Sequence, residues 1–550
     1  MNQVSRRFQR AVYERGAHLG GQRARGRPVR NPLMSSPRIR LSAPIASWRH
    51  LGRLFLLLIV GLAAFRVEAG TVLVNNALLI TMKPGEEKPF VGYLLVGADG
   101  RIAAIGAGAA PAGTTAATVV DAAGEIVAPG FISAHSHLFT SPFRGIGHTE
   151  TLYGWGLALS RLYKHVTADD VYWCTLHGSV DFLRNGITTA FDFTNSGVIG
   201  GAAVGVNEKV PPPVLKPGPF EENQIRAKAD AGLRFIDSIG LPRVGTKEEM
   251  IARYARVYHY AYATYGSNPL FLKMALSGGL QRAPTIETAY LEVEVMKKFG
   301  ALNHSHFLES PERVPEQQAK FYWYQKAGAL GPNFIFAHFI QTNPDILKIA
   351  SQAGCAMSWQ PTSNSRLASG AADIPLYRAF GLGVSVGLDD QACTDISDPF
   401  QNLRIGLSLI RTKYKDAKAL SVYDMLYLHT LASAQVLKIA DKVGSLEVGK
   451  FADFLIVDPR DPDTGPIHDA VATYVYACGL RNLKQVYVGG KLTVDGTRIL
   501  TYDEAKLHAE VYSRLARMEA EAQAEEKMGQ ARLTPLIDFD GCGLPLAMAP

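Results

Sequence analysis

The sequence predicts an α/β protein built around a (β/α)8 barrel, with a small sheet module formed by both ends of the chain. Two observations lead to this prediction. In the middle of the chain, apolar runs of six to eight residues alternate with stretches of helical periodicity, as they do in parallel βα units. On both sides of this region, short apolar runs are interrupted by Gly, Asp and Asn, which is typical of strands joined by tight turns.

Length and composition agree with this architecture. The 550 residues exceed one typical domain and suit a barrel of roughly 250 to 300 residues plus a smaller module. Hydrophobic residues make up 47% and charged residues 19%, which excludes disordered and collagen-like chains. The net charge of +7 is unevenly distributed along the chain. Residues 1–69 hold 13 Arg, no Lys and 2 Glu, a net charge of +11, so the remainder carries −4. A basic nucleic-acid-binding surface is therefore not expected on the folded part.

The first segment, residues 1–69, is predicted to be an Arg-rich leader with a signal peptide. Leu54 to Phe65 is an apolar run of 12 residues, too short to cross a hydrocarbon core of roughly 30 Å. The triplet Val67 to Ala69 places small residues where a signal peptidase cleaves, so we expect the mature protein to begin at Gly70. Cleavage predicts a periplasmic or secreted protein without a stable membrane partner. A buried helix or uncleaved anchor is the alternative, and an uncleaved soluble protein would be cytoplasmic.

The rest of the chain divides into four predicted parts. Residues 71–128 and 441–500 supply the two halves of the sheet module, and residues 129–440 supply the barrel. Residues 501–550 are expected to form a charged, Ala-rich surface helix followed by a tail. Five cysteines without a CxxC pair predict neither a disulfide framework nor a zinc ribbon.

Side chains of metal-ligand type follow four of the apolar runs in the barrel region. These residues are His135 with His137, His304 with His306, His338, and Asp389 with Asp390. Residues i and i+2 of a strand point to the same face, so two imidazoles in an HxH triplet can converge on one ion. A barrel brings the carboxyl ends of its strands together at one face. Imidazole and carboxylate ligands suit Zn²⁺ or Fe²⁺, so the sequence predicts a site for one such ion there.

These stretches resemble the amidohydrolase superfamily, in particular its branch of triazine hydrolases, guanine and cytosine deaminases, and adenosylhomocysteine deaminases. The similarity runs in order from Thr71 to Gly496. It rests on the segments VAPGFISAHSHLF, DFLRNGITTAFDF, HSHFLES, FAHFI, PTSNSRLASG, VSVGLDD and VGSLEVGKFADFLIVDP. The resemblance implies a metal-dependent (β/α)8 TIM-like barrel and a small β-sandwich built from both chain ends.

The resemblance also implies a role for individual residues. The implied metal ligands are His135, His137, His306 and Asp389, and the implied catalytic residues are Glu309, His338 and Asp389. His338 and Asn364 are implied to contact the substrate. The family spacing His-x-x-Glu selects His306 with Glu309 over His304. The family usually has Gly-Thr-Asp-Gly where this chain has Gly387-Leu388-Asp389-Asp390, which leaves Asp390 as an alternative carboxylate.

The expected activity is hydrolysis of a non-peptide carbon–nitrogen bond, above all deamination of a small heterocycle by water activated on one divalent metal ion. In this scheme Asp389 accepts the water proton and Glu309 passes a proton to the leaving nitrogen. The expected partner is a small-molecule substrate, and assembly into a homo-oligomer is left open.

Two alternatives remain at this stage. Lys273 lies on a strand where binuclear superfamily members carry a carboxylated lysine that bridges two metal ions. That alternative gives two ions and an imidase, amidase or peptidase. The other alternative is an inactive relative that only binds a small molecule, against which the intact ligand set speaks.

Overall fold

The structure is a computed structural model that describes residues 70–203 and 205–528. The leader with its predicted signal peptide, and the tail after residue 528, lie outside these described residues.

Within the described ranges the strands are β1 (Gly70–Leu79), β2 (Phe90–Val96), β3 (Ile102–Ala107), β4 (Ala116–Asp121), β5 (Ile126–Pro129), β6 (Phe131–His137), β7 (Ile187–Thr194), β8 (Val198–Ile199), β9 (Val214–Leu215), β10 (Arg234–Ile239), β11 (Phe271–Gly278), β12 (Asn303–Phe307), β13 (Phe334–His338), β14 (Ala356–Trp359), β15 (Gly383–Val386), β16 (Asp389–Asp390), β17 (Phe454–Val457), β18 (Leu483–Val488), β19 (Lys491–Asp495) and β20 (Arg498–Ile499). The α-helices are α1 (Leu152–Tyr163), α2 (Ala168–Arg184), α3 (Phe220–Ala231), α4 (Lys247–Tyr265), α5 (Glu287–Phe299), α6 (Val314–Ala327), α7 (Pro344–Gln352), α8 (Pro361–Arg366), α9 (Ile374–Ala379), α10 (Gln391–Thr394), α11 (Pro399–Tyr414), α12 (Val422–Leu428), α13 (Leu431–Val436), α14 (Ala470–Ala472) and α15 (Glu504–Lys527).

The predicted (β/α)8 barrel is confirmed, with an eighth strand that is broken in two. Strands β6, β7 and β10 to β14 follow one another in a parallel sheet, and β15 pairs with β14. After two intervening residues, β16 pairs with β6, and Asp389 lies opposite Ser136. The two pieces therefore close the sheet into a barrel. Gly387 lies at the break, where an added Cβ would come within 2.7 Å of the His135 backbone nitrogen, so only glycine fits.

The helices around the barrel begin and end where the sequence signals place them. Helix α2 starts after Thr167, whose hydroxyl and Asp170 form a reciprocal capping box. Helices α3, α5 and α6 each end at a glycine in the left-handed conformation, which glycine adopts readily. Because helices cover the outside of the sheet and side chains fill its interior, every residue of β6, β12 and β13 is buried.

The second predicted module, built from both chain ends, is also confirmed. Strand β17 from the C-terminal part pairs antiparallel with β5 from the N-terminal part, with Phe454 opposite Pro129. The resulting mixed sheet has nine strands, ordered β20-β19-β18-β17-β5-β1-β2-β3, with β4 beside β1. Val74, Leu94 and Phe454 are fully buried in a core of its own.

The C-terminal helix α15 packs against the first two helices of the barrel region. Met518 is fully buried there, and Arg517 and Arg514 form ion pairs with Asp170. In the parts of the chain that the structure describes, no helix is both long and apolar enough to span a membrane.

Candidate metal centre

A buried cluster of three histidines and one aspartate lies at the carboxyl ends of the barrel strands. His135, His306, His338 and Asp389 each offer one ligand atom, and these atoms lie within 4.8 Å of one another. The four residues come from β6, β12, β13 and β16, so strands distant in sequence supply one site. The closed parallel sheet explains the convergence, because it brings equivalent strand ends to the same face.

The distances between the side chains fit a single small ion. His135 Nε2 lies 3.2 Å from Asp389 Oδ1, and His137 Nε2 lies 3.0 Å from His306 Nε2. Two nitrogen ligands of a tetrahedral zinc ion lie about 3.3 Å apart, given Zn–N bonds of 2.0–2.1 Å. The donor set of imidazoles plus one carboxylate is the kind that holds Zn²⁺ or Fe²⁺. The residues present therefore fit a divalent transition metal.

Burial keeps these imidazoles in the form that binds metal. The pKa values of His135, His306 and His338 are well below the ordinary histidine value, because burial disfavours the charged ring. A neutral imidazole has a lone pair for an ion, whereas an imidazolium has none.

Two residues of the cluster have unusual backbone conformations. Asp389 has φ of 71° and His338 has φ of 63°, both in the left-handed region that non-glycine residues rarely adopt. Such conformations cost of order 1–3 kcal/mol each and persist where the surrounding structure imposes them. His338 is the last residue of β13 and Asp389 is the first residue of β16, so both conformations occur where the strands meet the cluster.

Hydrogen bonds from helix α8 and its N-cap residue hold His338 and Asp389 in place. Ser363 Oγ donates to Asp389 Oδ2 at 2.5 Å, and Gln360 Oε1 accepts from the His338 backbone at 3.1 Å. Asn364 Nδ2 lies 2.9 Å from His338 Nδ1. This contact is at Nδ1, so it orients the ring and leaves Nε2, the nitrogen that faces Glu309 Oε2, clear of the amide.

Glu309 lies beside the cluster, with Oε2 at 3.4 Å from His338 Nε2. Burial raises the pKa of Glu309 well above its usual range, and the nearby Asp389 adds to the effect. A carboxyl group with a raised pKa can hold and release a proton near neutral pH.

A small cavity opens over the cluster. Its polar wall includes His137, His306, Glu309, His338, Asp389 and Arg282, and its apolar wall includes Leu152, Trp155 and Leu367. An apolar pocket with a few convergent polar groups is the usual form of a small-molecule site.

Residues 126–493 match the model of the amidohydrolase family, which spans the barrel and the joining strands of the mixed sheet. The chain belongs to the amidohydrolase family. A 5-methylthioadenosine/S-adenosylhomocysteine deaminase from Syntrophobacter fumaroxidans is 27% identical to this amidohydrolase over 453 residues, which cover 78% of this chain and 94% of the relative.

Solved structures show the same fold. An adenosine deaminase from Xanthomonas campestris with bound zinc has a TM-score of 0.71 at 20% identity, and the match covers 82% of this amidohydrolase and 99% of that chain. An atrazine chlorohydrolase from Arthrobacter aurescens, complexed with zinc, has a TM-score of 0.69 at 20% identity. This match covers 81% of this amidohydrolase and 100% of the chlorohydrolase chain.

The four-residue cluster of this amidohydrolase differs from the predicted ligand set in one member. The cluster contains His338 in place of His137, which was predicted to be a metal ligand. His137 Nε2 lies next to the cluster, 3.7 Å from Asp389 Oδ1. Asp389 belongs to the cluster, while the alternative carboxylate, Asp390, lines the same cavity and accepts a hydrogen bond from the Ala392 backbone as the N-cap of α10.

The predicted substrate contact at Asn364 remains a prediction. Asn364 is fully buried behind His338 and bonded to its ring, so its position suits orienting His338 rather than touching a ligand. His304 is not one of the four clustered residues, and its ring packs against Phe191 and His135, with centroids 4.6 and 5.1 Å away.

The position of Lys273 in the structure does not support the bridging role considered for it. Its ammonium group donates hydrogen bonds to the backbone carbonyls of Leu437 and Lys438, at 3.2 and 2.9 Å. Lys273 lies near the start of β11, whereas the metal cluster lies at the opposite ends of the strands. An amine held at the opposite end of the strands from the metal ligands cannot bridge two ions in the cluster.

Sequence analysis missed two residues of the site. Arg282 follows β11 after a Gly-Gly pair, so it also lies at the end of a barrel strand, but a search limited to metal ligands and carboxylates passes over a cation. Ser363 carries no signal of its own, because a serine in a short helix is common.

Proposed function

We propose that this amidohydrolase removes an amino or similar leaving group from a small nitrogen heterocycle by hydrolysis, using one bound Zn²⁺ or Fe²⁺ ion. The observation that carries the proposal is the convergence of three imidazoles and Asp389 at the barrel mouth, with Glu309 beside them. The deaminase and chlorohydrolase names of its relatives support this class of reaction. One ion is favoured over two because Lys273 is committed to backbone carbonyls elsewhere.

The residues divide the chemical work between them. His135, His306, His338 and Asp389 would hold the ion, with His137 adjacent. A divalent ion in such a site lowers the pKa of water from 15.7 toward about 7. The carboxylate of Asp389 can accept a proton, and Glu309 can deliver one to the departing nitrogen, which leaves readily only as ammonia or an amine.

The apolar wall completes the proposal. Leu152, Trp155 and Leu367 line the same cavity as the polar groups and offer apolar contacts to a flat ring. The enclosed space is small, which favours a compact substrate.

The test is a screen for hydrolysis by the metal-loaded protein. We expect ammonia release from at least one member of a set of aminopurines, aminopyrimidines, aminotriazines and adenine nucleosides. Metal analysis of the same preparation should give about one ion per chain. The matched control is His306→Ala, which removes a ligand and should abolish both turnover and bound metal.

Three other outcomes would contradict parts of this proposal. Stoichiometric metal with no turnover of any compound would favour a binding protein. Two ions per chain would favour the binuclear alternative despite the placement of Lys273. Turnover that persists fully in metal-free protein would remove the metal from the reaction.

A further inference from the structure

Asn402 lies on α11 with its side chain fully buried, beside the break between β15 and β16. Its amide makes four hydrogen bonds, as many as its two lone pairs and two N–H groups allow. Nδ2 donates to the Gly387 carbonyl at 3.1 Å and to His429 Nε2 at 3.2 Å. Oδ1 accepts from the Thr362 backbone at 3.2 Å and from the Thr362 hydroxyl at 2.7 Å. Asn402 therefore joins three segments that are distant in sequence.

The neighbours of Asn402 decide which way its amide points. A backbone N–H can only donate and a carbonyl can only accept, so Oδ1 faces Thr362 and Nδ2 faces Gly387. His429 agrees with this orientation, since its Nδ1 donates to the Ile132 carbonyl at 3.0 Å and its Nε2 accepts. Burial lowers the pKa of His429 to about 4, so the ring stays neutral at ordinary pH and keeps both bonds.

The first of the three segments is the strand break, which takes backbone groups out of the sheet ladder. The Gly387 amide donates to the Trp359 carbonyl at 2.9 Å, and the Gly387 carbonyl accepts from Asn402. Buried backbone groups are costly to leave unpaired, so these contacts fix the path of the chain at the break. Asp389 of the metal cluster follows only two residues later.

The second segment is the start of α8, which Asn402 reaches through Thr362. The next two residues of this helix contact members of the cluster. Ser363 Oγ donates to Asp389 Oδ2, and Asn364 Nδ2 lies 2.9 Å from His338 Nδ1. Because Asp389 follows the strand break, a shift of α8 relative to that break would move the serine hydroxyl away from the carboxylate.

The third segment is β6, which Asn402 reaches through His429. His429 is the C-cap residue of α12, and its ring donates to the Ile132 carbonyl. The Ile132 amide in turn donates to the His429 carbonyl at 3.0 Å. This pair of bonds fixes β6 three residues before His135, another member of the cluster.

We propose that Asn402 is a positioning residue of the metal centre, which holds the strand break, the start of α8 and strand β6 in one arrangement. The inference rests on the metal site of the proposed function and deepens it. A set of metal ligands works only when its members are held to within about 0.5 Å of their positions. Each segment that Asn402 joins carries, or leads directly into, residues of the cluster or their hydrogen-bond partners.

Zn²⁺ affinity tests this proposal without any substrate. The full-length protein is loaded with Zn²⁺ and titrated with a chelator of known affinity. Asn402→Ala should bind Zn²⁺ about 10- to 100-fold more weakly than the parent, the range for residues that orient metal ligands. Thr362→Val removes only the hydroxyl bond and should weaken binding by about 2- to 10-fold. The visible absorption bands of Co²⁺-loaded protein report ligand geometry and should change in Asn402→Ala.

Leu407→Ala is the control for a purely structural effect. Leu407 lies on the same helix and is fully buried in the core, so its truncation should lower thermal stability. The Zn²⁺ affinity and the Co²⁺ spectrum of the folded Leu407→Ala variant should stay at the parent values.

Combination with Ser363→Ala tests the route through α8. If Asn402 acts by keeping Ser363 on Asp389, the two substitutions are not independent. The double variant should then lose less affinity than the two single losses combined.

The proposal is overturned if folded Asn402→Ala keeps the parent affinity, if Leu407→Ala loses as much, or if the losses in Asn402→Ala and Ser363→Ala simply add. Should Asn402→Ala fail to fold, Thr362→Val decides, and a parent-like affinity in that variant overturns the proposal. Tight Zn²⁺ binding that depends on Asn402, without ammonia release in the screen, counts against the proposed reaction and not against the role of Asn402.

Discussion

Ser363 Oγ donates a hydrogen bond of 2.5 Å to Oδ2 of Asp389, which leaves Oδ1 facing His135 Nε2 at 3.2 Å. One oxygen of the carboxylate is therefore occupied by the protein, and the other is directed at the cluster. Asp389 also has a left-handed backbone, a conformation that persists where surrounding contacts impose it. Residues that orient metal ligands typically contribute 10- to 100-fold to metal affinity.

We predict that Ser363→Ala lowers metal affinity by ~10- to 100-fold while the fold is retained. Competition with a chelator of known affinity measures the change. Ser365→Ala is the matched control, since Ser365 lies on the same helix and its hydroxyl donates to the Pro361 carbonyl instead. Equal metal affinity in Ser363→Ala and the parent would show that Asp389 needs no such support.

Removal of one imidazole should remove the ion. His306→Ala is expected to purify without stoichiometric metal and without turnover, because His306 is one of the four clustered residues. The barrel should remain folded, as circular dichroism would show. His259→Ala, an exposed histidine on α4, is the control and should keep metal and activity. Metal retained at the parent level in His306→Ala would contradict the assignment of the cluster.

Replacing Glu309 should reduce turnover much more than metal binding. The variant Glu309→Gln keeps the shape of the side chain but cannot carry a proton, so kcat should fall by roughly 10²- to 10⁴-fold, the usual contribution of general acid–base groups. Metal content should stay at the parent value, because the contact nearest to the cluster is Oε2 to His338 at 3.4 Å. Unchanged kcat would reduce Glu309 to a residue that orients His338.

The barrel could be predicted from the sequence because its signals are local. Alternating apolar runs and helical stretches mark the βα units, and ligand-type side chains follow β6, β12, β13 and β16 directly. Since a closed parallel sheet brings these strand ends together, the sequence positions alone are enough to expect one site. A sheet module shared by both chain ends was expected from their similar texture, and the structure shows that β5 and β17 join its two halves.

The finer arrangement of the site could not be predicted, since it depends on side-chain direction. His338 rather than His137 joins the four-residue cluster, and the left-handed backbone of His338 is a feature that no sequence pattern reports. Lys273 illustrates the same limit. Its place on a barrel strand suited a metal bridge, but β11 carries it to carbonyl groups at the other end of the barrel.

The placement of Lys273 leads to a prediction about metal content. Lys273→Met should bind the same amount of metal as the parent, because the amine is held by the Leu437 and Lys438 carbonyls away from the cluster. Added bicarbonate should change the stoichiometry of neither protein. A second ion that depends on bicarbonate in the parent and disappears in Lys273→Met would restore the bridging alternative.

Lys273 should also contribute to the pH dependence of stability. Burial lowers its pKa from 10.5 to about 8 in the folded state. Between these two values the unfolded chain binds more protons at this site than the folded chain, so the Lys273 contribution to the free energy of unfolding rises with pH. Lys273→Met lacks this contribution, so its stability should fall relative to the parent as the pH rises from about 8 to 10.5.

Urea unfolding across this interval measures the difference, with Lys326→Met, an exposed lysine on α6, as the control. A parent and a Lys273→Met variant whose stabilities change in parallel over the interval would show that the amine is not desolvated in the folded protein.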